Sequence, residues 1–153
     1  MKAVIQRVRG AQVEVEGRVV GACEGGLFVL LGVVQGDAQE DAAILAKKIV
    51  QLRVFEDEND KMNLSLLQTG GGLLVVSNFT LAADCTGGRR PSFFSAMPPQ
   101  EAQALYMYFV DCCRAEGAAT QTGIFGAHMH IKQHNDGPVT ILLDSNELKR
   151  KKS

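Results

Sequence analysis

The chain has almost no net charge, no long apolar run and no cysteine pair spaced to share a metal ion. Its 153 residues carry 16 Lys and Arg against 17 Asp and Glu, a formal net charge of −1. No global field draws it to nucleic acid, so any RNA contact must come from a local basic patch. No stretch approaches the ~18 apolar residues of a spanning helix, and no membrane association is expected. The start, MKAVIQRVRG, lacks the apolar core of a secretory signal. Cys23, Cys85, Cys112 and Cys113 show no CxxC spacing, and a bridge between adjacent Cys112 and Cys113 would be strained. Four free thiols are the plain reading, and they predict a reducing, cytoplasmic location.

What is there reads as one globular domain. Hydrophobic residues make up 46% and charged residues 22%, ordinary globular usage. A chain of this length buries roughly two thirds of its unfolded surface. No repeat or linker divides it, so a single domain over residues 1–145 is expected, followed by a basic tail, 146–153, expected to be disordered.

The N-terminal third has strand patterns. Ala3–Val8 reads as one strand, Gln12–Glu16 alternates with period two, and Gly17 turns the chain back into Arg18–Ala22. Leu27–Val33 is apolar on both faces, which predicts a central buried strand. Asp37 has the position of a helix N-cap, with Glu40 three residues on. Ala42, Leu45, Ile49 and Leu52 then give one apolar stripe. Asp57–Lys61 reads as a charged turn. Leu73–Thr80 is a second buried strand, and residues 82–98 a long loop carrying Arg89 and Arg90. Pro98-Pro99 opens a second helix whose stripe is Ala102, Leu105, Tyr106, Phe109, Val110 and Cys113; Gly117 ends it. Ala127, Met129 and Ile131 alternate with His128, His130 and Lys132, and Val139–Leu143 forms a last short strand. The fold class expected is α/β, with two main helices packed on a curled, mostly antiparallel sheet.

Three groups of residues bear on chemistry. Thr80 ends an apolar strand, a common address for functional residues, but its hydroxyl needs a base to become a nucleophile. Only Asp84 lies nearby in sequence, and a threonine bonding its own backbone is the plainer reading. Asp136-Gly137-Pro138 reads as an ordinary turn. His128, His130 and His134 share strand parity, and His-x-His can hold zinc. Solvent-facing imidazoles are the plainer account, because no carboxylate or cysteine completes the set nearby, and no metal is expected. Arg89-Arg90, Lys47-Lys48 and Lys149–Lys152 could each meet phosphates, though each alone reads first as a solvated surface.

Two motifs in order carry a family resemblance. Ser77-Asn78-Phe79-Thr80-Leu81 is similar to a Ser-Gln-Phe-Thr-Leu signature, and Asn135, Gly137, Pro138 and Thr140 fill an Asn-x-Gly-Pro-x-Thr signature. Ile5–Val8, Lys61–Leu64, Arg90–Phe93 and Thr120–Gly123 add flanking matches. Over residues 1–143 the chain resembles the D-aminoacyl-tRNA deacylases. The resemblance implies a proofreading hydrolase with no cofactor, which binds the 3′-terminal aminoacyl-adenosine of tRNA. It also implies a homodimer in which a cis Gly137-Pro138 peptide enters the partner's site and rejects L-aminoacyl groups. The catalytic set implied is Ser77, Asn78, Phe79 and Thr80, with Phe125, Ala127, Met129, Asn135 and Thr140 around the substrate. Backbone N–H groups near Asn78–Thr80 would stabilise the oxyanion, and the RNA's own 2′-hydroxyl would assist attack. Glycine, lacking a side chain to reject, would also be cleared. Asn78 stands where the family usually has glutamine, which leaves open a shift in specificity toward glycine or L-alanine on tRNA.

Overall fold

The computed structural model describes residues 1–150. Strand β1 (Lys2–Val15) is the spine. A turn with Glu16 at φ 51° and Gly17 at φ 77° leads into β2 (Arg18–Cys23). Two successive positive φ angles suit the right-handed twist of a hairpin. β3 (Gly26–Gly32), α1 (Gln39–Gln51) and the small β4 (Phe55–Glu56) and β5 (Met62–Leu64) hairpin follow. A single-turn α2 (Leu66–Thr69) precedes β6 (Gly72–Ser77). A 3-10 turn (Phe79–Ala82) and α3 (Pro99–Ala115) lead to β7 (Ala119–Thr122), β8 (His130–Asp144) and α4 (Ser145–Lys149).

The class is the α/β one expected, and the sheet is mixed. β1 pairs antiparallel with β2, β3 and β8, whereas β3, β6 and β7 run parallel to one another. The parallel pairs need crossovers, and α1 and α3 supply them. The sheet curls until β2 meets β7. The Ala22 N–H donates to the Gln121 side chain at 2.8 Å, and a Cβ on Gly21 would lie 2.1 Å from the Thr122 carbonyl. Only glycine permits that approach.

Both faces of the central strands are buried, as their unbroken apolar runs predicted. Leu27, Val29, Leu31, Leu73 and Val75 pack against Leu45, Ile49, Tyr106, Phe109 and Val110 of the two helices. Phe28, Leu74 and Val76 face the other way and meet Val8, Ala11 and Val13 inside the curl. Each large side chain so buried stabilises the fold by about 1.5–3 kcal/mol relative to leaving it exposed.

Three local expectations are corrected and one strand is added. The two N-terminal strands are one, because β1 continues through residues 9–11 with a shift of register instead of a break. The polar segment Ala119–Thr122 is a strand, which its lack of apolar alternation had hidden. The α1 cap is displaced by one residue: Ala38 is the N-cap, and its N–H donates to Asp41 at 2.9 Å. Asp37 is engaged elsewhere, accepting the Met1 ammonium at 2.7 Å and the Val34 N–H at 2.8 Å. The tail is helical through Lys149, as α4; Lys151, Lys152 and Ser153 lie outside the described residues.

One polar cluster ties α4 down. The Met1 ammonium donates to Ser145 Oγ at 2.8 Å, Ser145 Oγ donates to Asp41 at 2.7 Å, and Lys149 Nζ lies 2.8 Å from the same Asp41 oxygen. Burial alone would push the Asp41 carboxyl up, but hydrogen bonds from Lys149, Ser145 and the Ala38 N–H outweigh it and hold it at about 2. A carboxyl depressed on folding stabilises the protein above its unfolded value near 3.8 and loses that contribution as pH falls toward about 2. Thermal melts across that range should therefore show an acid limb in the wild type that is shallower in Asp41→Asn. Identical limbs would show that Asp41 takes no part in acid unfolding.

Candidate active site

The parallel pair β3–β6 delivers the first motif. β6 ends at Ser77, and the Asn78 N–H extends the ladder by donating to the Leu31 carbonyl at 2.8 Å. Asn78 then leaves the strand with φ −147°, ψ 91° and caps the 3-10 turn. Its side-chain oxygen accepts the Thr80 N–H at 3.1 Å and also the Thr80 hydroxyl. The turn fits under β3 because Gly32 has no side chain: a Cβ there would lie 2.8 Å from Leu81 Cβ and 3.1 Å from the Asn78 carbonyl.

This arrangement sorts the three backbone donors of the motif. The N–H of Asn78 is taken by Leu31 and that of Thr80 by Asn78. The N–H of Phe79, at the first position of the turn, has no acceptor among the described residues, as the opening donors of any helix are left without an intrahelical partner. The Phe79 ring is 60% exposed and meets Phe93 edge-on at 5.1 Å.

Beside this turn lies a cavity of about 550 Å³, lined by Ser77, Asn78 and Phe79 on one side and by Phe125, Gly126, Ala127 and Met129 on another. Phe125 is backed by Tyr106 at 5.7 Å, and Tyr106 is fixed by donating its hydroxyl to the Val75 carbonyl at 2.9 Å. The remaining wall comes from Leu31 and Val33 at the end of β3, from Phe93, Ala96 and Met97, and from Pro98, Pro99 and Ala102 at the start of α3. Sequence patterns do not reveal most of that wall. The end of the both-faces-apolar strand was the available signal for Leu31 and Val33, whereas Met97 and Ala102 become neighbours only through folding.

No residue lining this cavity bears an acidic, basic, imidazole or thiol group. Thr80 is not part of its wall, and the Thr80 hydroxyl is donated to an amide oxygen that takes no proton at neutral pH. A more open groove of about 740 Å³, lined in part by Arg9, Glu24, Lys132 and His134, does hold ionisable groups, but no residue of the first motif reaches it.

Asn135, Gly137, Pro138 and Thr140 lie on β8, outside the cavity. Gln6 pairs with Thr140 and Val8 with Asn135, so a single residue of β1 opposes four of β8. Asp136–Val139 is therefore a bulge within one long strand, and this replaces the expected turn between two short ones. The ladder tolerates proline there because the bulge needs no N–H from it. The Gly137-Pro138 peptide is cis. Gln133 bridges Gln6 and Asn135 at 2.7 Å each, and Thr140 accepts from Gln6 at 3.2 Å.

Arg7, the residue facing the bulge, is 6% exposed. Its Nε donates to the Asp136 carbonyl at 2.8 Å and its Nη1 to the Val54 carbonyl at 2.7 Å. Carboxylates of Asp136 and Glu56 flank it at 3.5 and 3.6 Å. In the sequence Arg7 stands out only as part of a flanking match, and β1 carries other polar residues, Gln6 among them, so nothing local marks its role.

His130 and His134 share one face of β8, in unbroken register with Glu14 and Gly10, and all three histidines are exposed. His128 precedes β8 and meets His130 edge-on at 5.0 Å, while His134 lies further along, opposite Gly10. Among the described residues no group of three His, Cys, Asp or Glu side chains is placed to hold a metal ion.

Residues 4–144 match the family model described as D-Tyr-tRNA(Tyr) deacylase. Named relatives agree. The chain is 56% identical over 148 residues to the D-aminoacyl-tRNA deacylase of Thermosipho africanus, covering 97% of this chain and 99% of that one. It is 58% identical over 144 residues to the one from Pelobacter propionicus, covering 94% and 99%. Among solved structures, the c-Myc DNA Unwinding Element Binding Protein superposes with a TM-score of 0.88 at 40% identity, covering 94% of this chain and 98% of that one. A probable eukaryotic D-amino acid tRNA deacylase shares the fold, with a TM-score of 0.79 at 17% identity over the same shares. The chain belongs to the D-Tyr-tRNA(Tyr) deacylase family.

Proposed function

We propose that the protein clears D-amino acids, and glycine, from tRNA by hydrolysing the aminoacyl ester without a nucleophile or base of its own. Hydrolysis of D-aminoacyl-tRNA follows from membership in the family. The way it is done rests on one observation, the absence of any ionisable side chain around the cavity. An aminoacyl ester is already activated, so positioning plus one well-placed oxyanion donor serves. The Phe79 N–H is the donor left free for that purpose. In this reading the terminal adenosine's 2′-hydroxyl assists water in attacking the carbonyl; the ester C–O bond breaks, and amino acid and tRNA leave.

Handedness comes from a second copy of the chain. In the proposed homodimer the exposed Gly137 and Pro138 of one copy's bulge enter the cavity of the other. The carbonyls of Gly137 and Pro138 then stand against the substrate's α-carbon. An L side chain is driven into fixed backbone, a D side chain points away, and glycine has nothing to reject. The clamp from Arg7 supports the role by holding the bulge rigid. The complete Asn135, Gly137, Pro138 and Thr140 set supports the D-specific reading over a shifted one, while the Asn78 amide oxygen caps its own turn. The same reading puts the protein in the cytoplasm, with aminoacyl-tRNA.

Thr80→Ala separates this mechanism from covalent catalysis. It removes one exposed hydrogen bond, about 1 kcal/mol, so turnover should fall by less than about tenfold. Complete loss of turnover with binding and fold intact would make the Thr80 hydroxyl the nucleophile.

A further inference from the structure

The segment between the 3-10 turn and α3 carries Arg89 and Arg90 between the paired Asp84 and Ser92. Both arginines are exposed, and neither has an acidic partner among the described residues. The acid nearest in the segment, Asp84, is occupied: Thr86 donates its hydroxyl at 2.7 Å and its N–H at 3.0 Å to one carboxylate oxygen, holding that carboxyl below the usual range. The two guanidinium groups are therefore free positive charge on a chain whose net charge is −1.

The segment is braced at its base. Asp84 and Ser92 exchange two backbone hydrogen bonds of 2.8 Å. Gln35 donates its N–H to the Ser95 carbonyl at 2.8 Å and its side-chain amide to the Phe94 carbonyl at 2.7 Å. The Met97 N–H reaches the Val33 carbonyl at 3.1 Å. Directly after Ser92 the chain supplies Phe93, Ala96 and Met97 to the cavity wall. Arg90 is three residues before Phe93, at most about 10 Å of chain. Two arginines without acidic partners among the described residues, on a braced segment, thus lie within a few residues of the wall of a cavity that itself carries no charge. A ligand that is neutral or weakly charged at one end and strongly anionic next to it fits that layout.

We propose that Arg89 and Arg90 hold the phosphates immediately 5′ of the terminal adenosine while the aminoacyl-adenosine occupies the cavity. They are positioning residues for the RNA strand, and the proposal rests on the D-aminoacyl-tRNA reading above. Arginine suits the task, since its fork of donors matches phosphate oxygens.

The test compares wild type, Arg89→Gln/Arg90→Gln and Arg89→Lys/Arg90→Lys on two substrates, D-aminoacyl-tRNA and the phosphate-free D-aminoacyl ester of adenosine. For the glutamine variant on tRNA, KM should rise about tenfold with kcat little changed. The slope of log kcat/KM against log salt should flatten by about 1.4, roughly 0.7 for each single-strand phosphate that is no longer neutralised. The lysine variant should restore the slope, and the nucleoside ester should be cleaved equally by all three. An unchanged KM and slope on tRNA would overturn the proposal. So would an equal loss on both substrates, which marks a deformed cavity, or a change in sedimenting mass, which assigns the arginines to self-association. Wild-type protein that leaves D-aminoacyl-tRNA intact would overturn the substrate reading as well; cleavage by wild type with an unaffected glutamine variant sinks this proposal alone.

Discussion

Phe79→Pro is expected to lower kcat on D-aminoacyl-tRNA by about 10²–10³ relative to Phe79→Ala, the effect of removing one oxyanion donor. The comparison isolates a single backbone N–H. Both variants lack the ring and its edge contact with Phe93, so that difference cancels. Proline is tolerated at the first position of a helical turn, where the N–H has no intrahelical partner. The preceding Asn78, at φ −147° and ψ 91°, is extended and so already outside the α region that a following proline disfavours. Single-turnover rates at saturating enzyme read the chemical step directly. If the two variants hydrolyse at the same rate, the oxyanion is held elsewhere and the Phe79 amide is a bystander.

Arg7→Ala is expected to have the largest effect on stability. The substitution removes a buried guanidinium and leaves the Val54 and Asp136 carbonyls without their donor. The Val54 carbonyl is buried and the Asp136 carbonyl part-buried; an orphaned buried acceptor costs about 1–3 kcal/mol, a large part of a typical 5–15 kcal/mol folding free energy. Urea unfolding should show the midpoint fall sharply. Arg7→Lys should recover only part of it, because one ammonium on a flexible stem cannot match a planar fork that bridges two carbonyls. Whatever Arg7→Lys protein folds should also discriminate less between D- and L-aminoacyl-tRNA, since the Asp136–Val139 bulge is then without its brace. A variant with wild-type midpoint and discrimination would show that the β1–β8 ladder holds the bulge unaided.

What the sequence made legible follows physical lines. Leu27–Val33 and Leu73–Val76 announced buried central strands because apolar residues on both faces have few other uses. The α3 stripe from Ala102 to Cys113 was equally plain, since Pro98 and Pro99 fix the start and Gly117, at φ 102°, fixes the end. The continuity of β1 and β8 was not legible. A bulge adds residues to one strand only, and local periodicity cannot distinguish that from a turn; Asp136-Gly137-Pro138 has turn chemistry either way. The α1 cap was misplaced because Asp37 is claimed by the Met1 ammonium, a partner 36 residues away. Of the candidate site, Ser77–Phe79 and Phe125, Ala127 and Met129 were found through the resemblance, and they converge on one cavity. Thr80, placed in the same catalytic group, does not line it. The apolar wall from Met97, Pro98 and Ala102 had no local signature distinct from core, so only the packing of α3 against β3 identifies it.

The central claim is that the cavity hydrolyses the ester whatever the side chain and that handedness alone decides access. Deacylation of D-Tyr-tRNA, L-Tyr-tRNA, Gly-tRNA and L-Ala-tRNA by the purified protein tests it most directly. The expected result is cleavage of the D-tyrosyl and glycyl esters and of neither L-ester above the uncatalysed rate. Comparable rates on D-Tyr-tRNA and L-Tyr-tRNA, or turnover confined to L-Ala-tRNA, would contradict it.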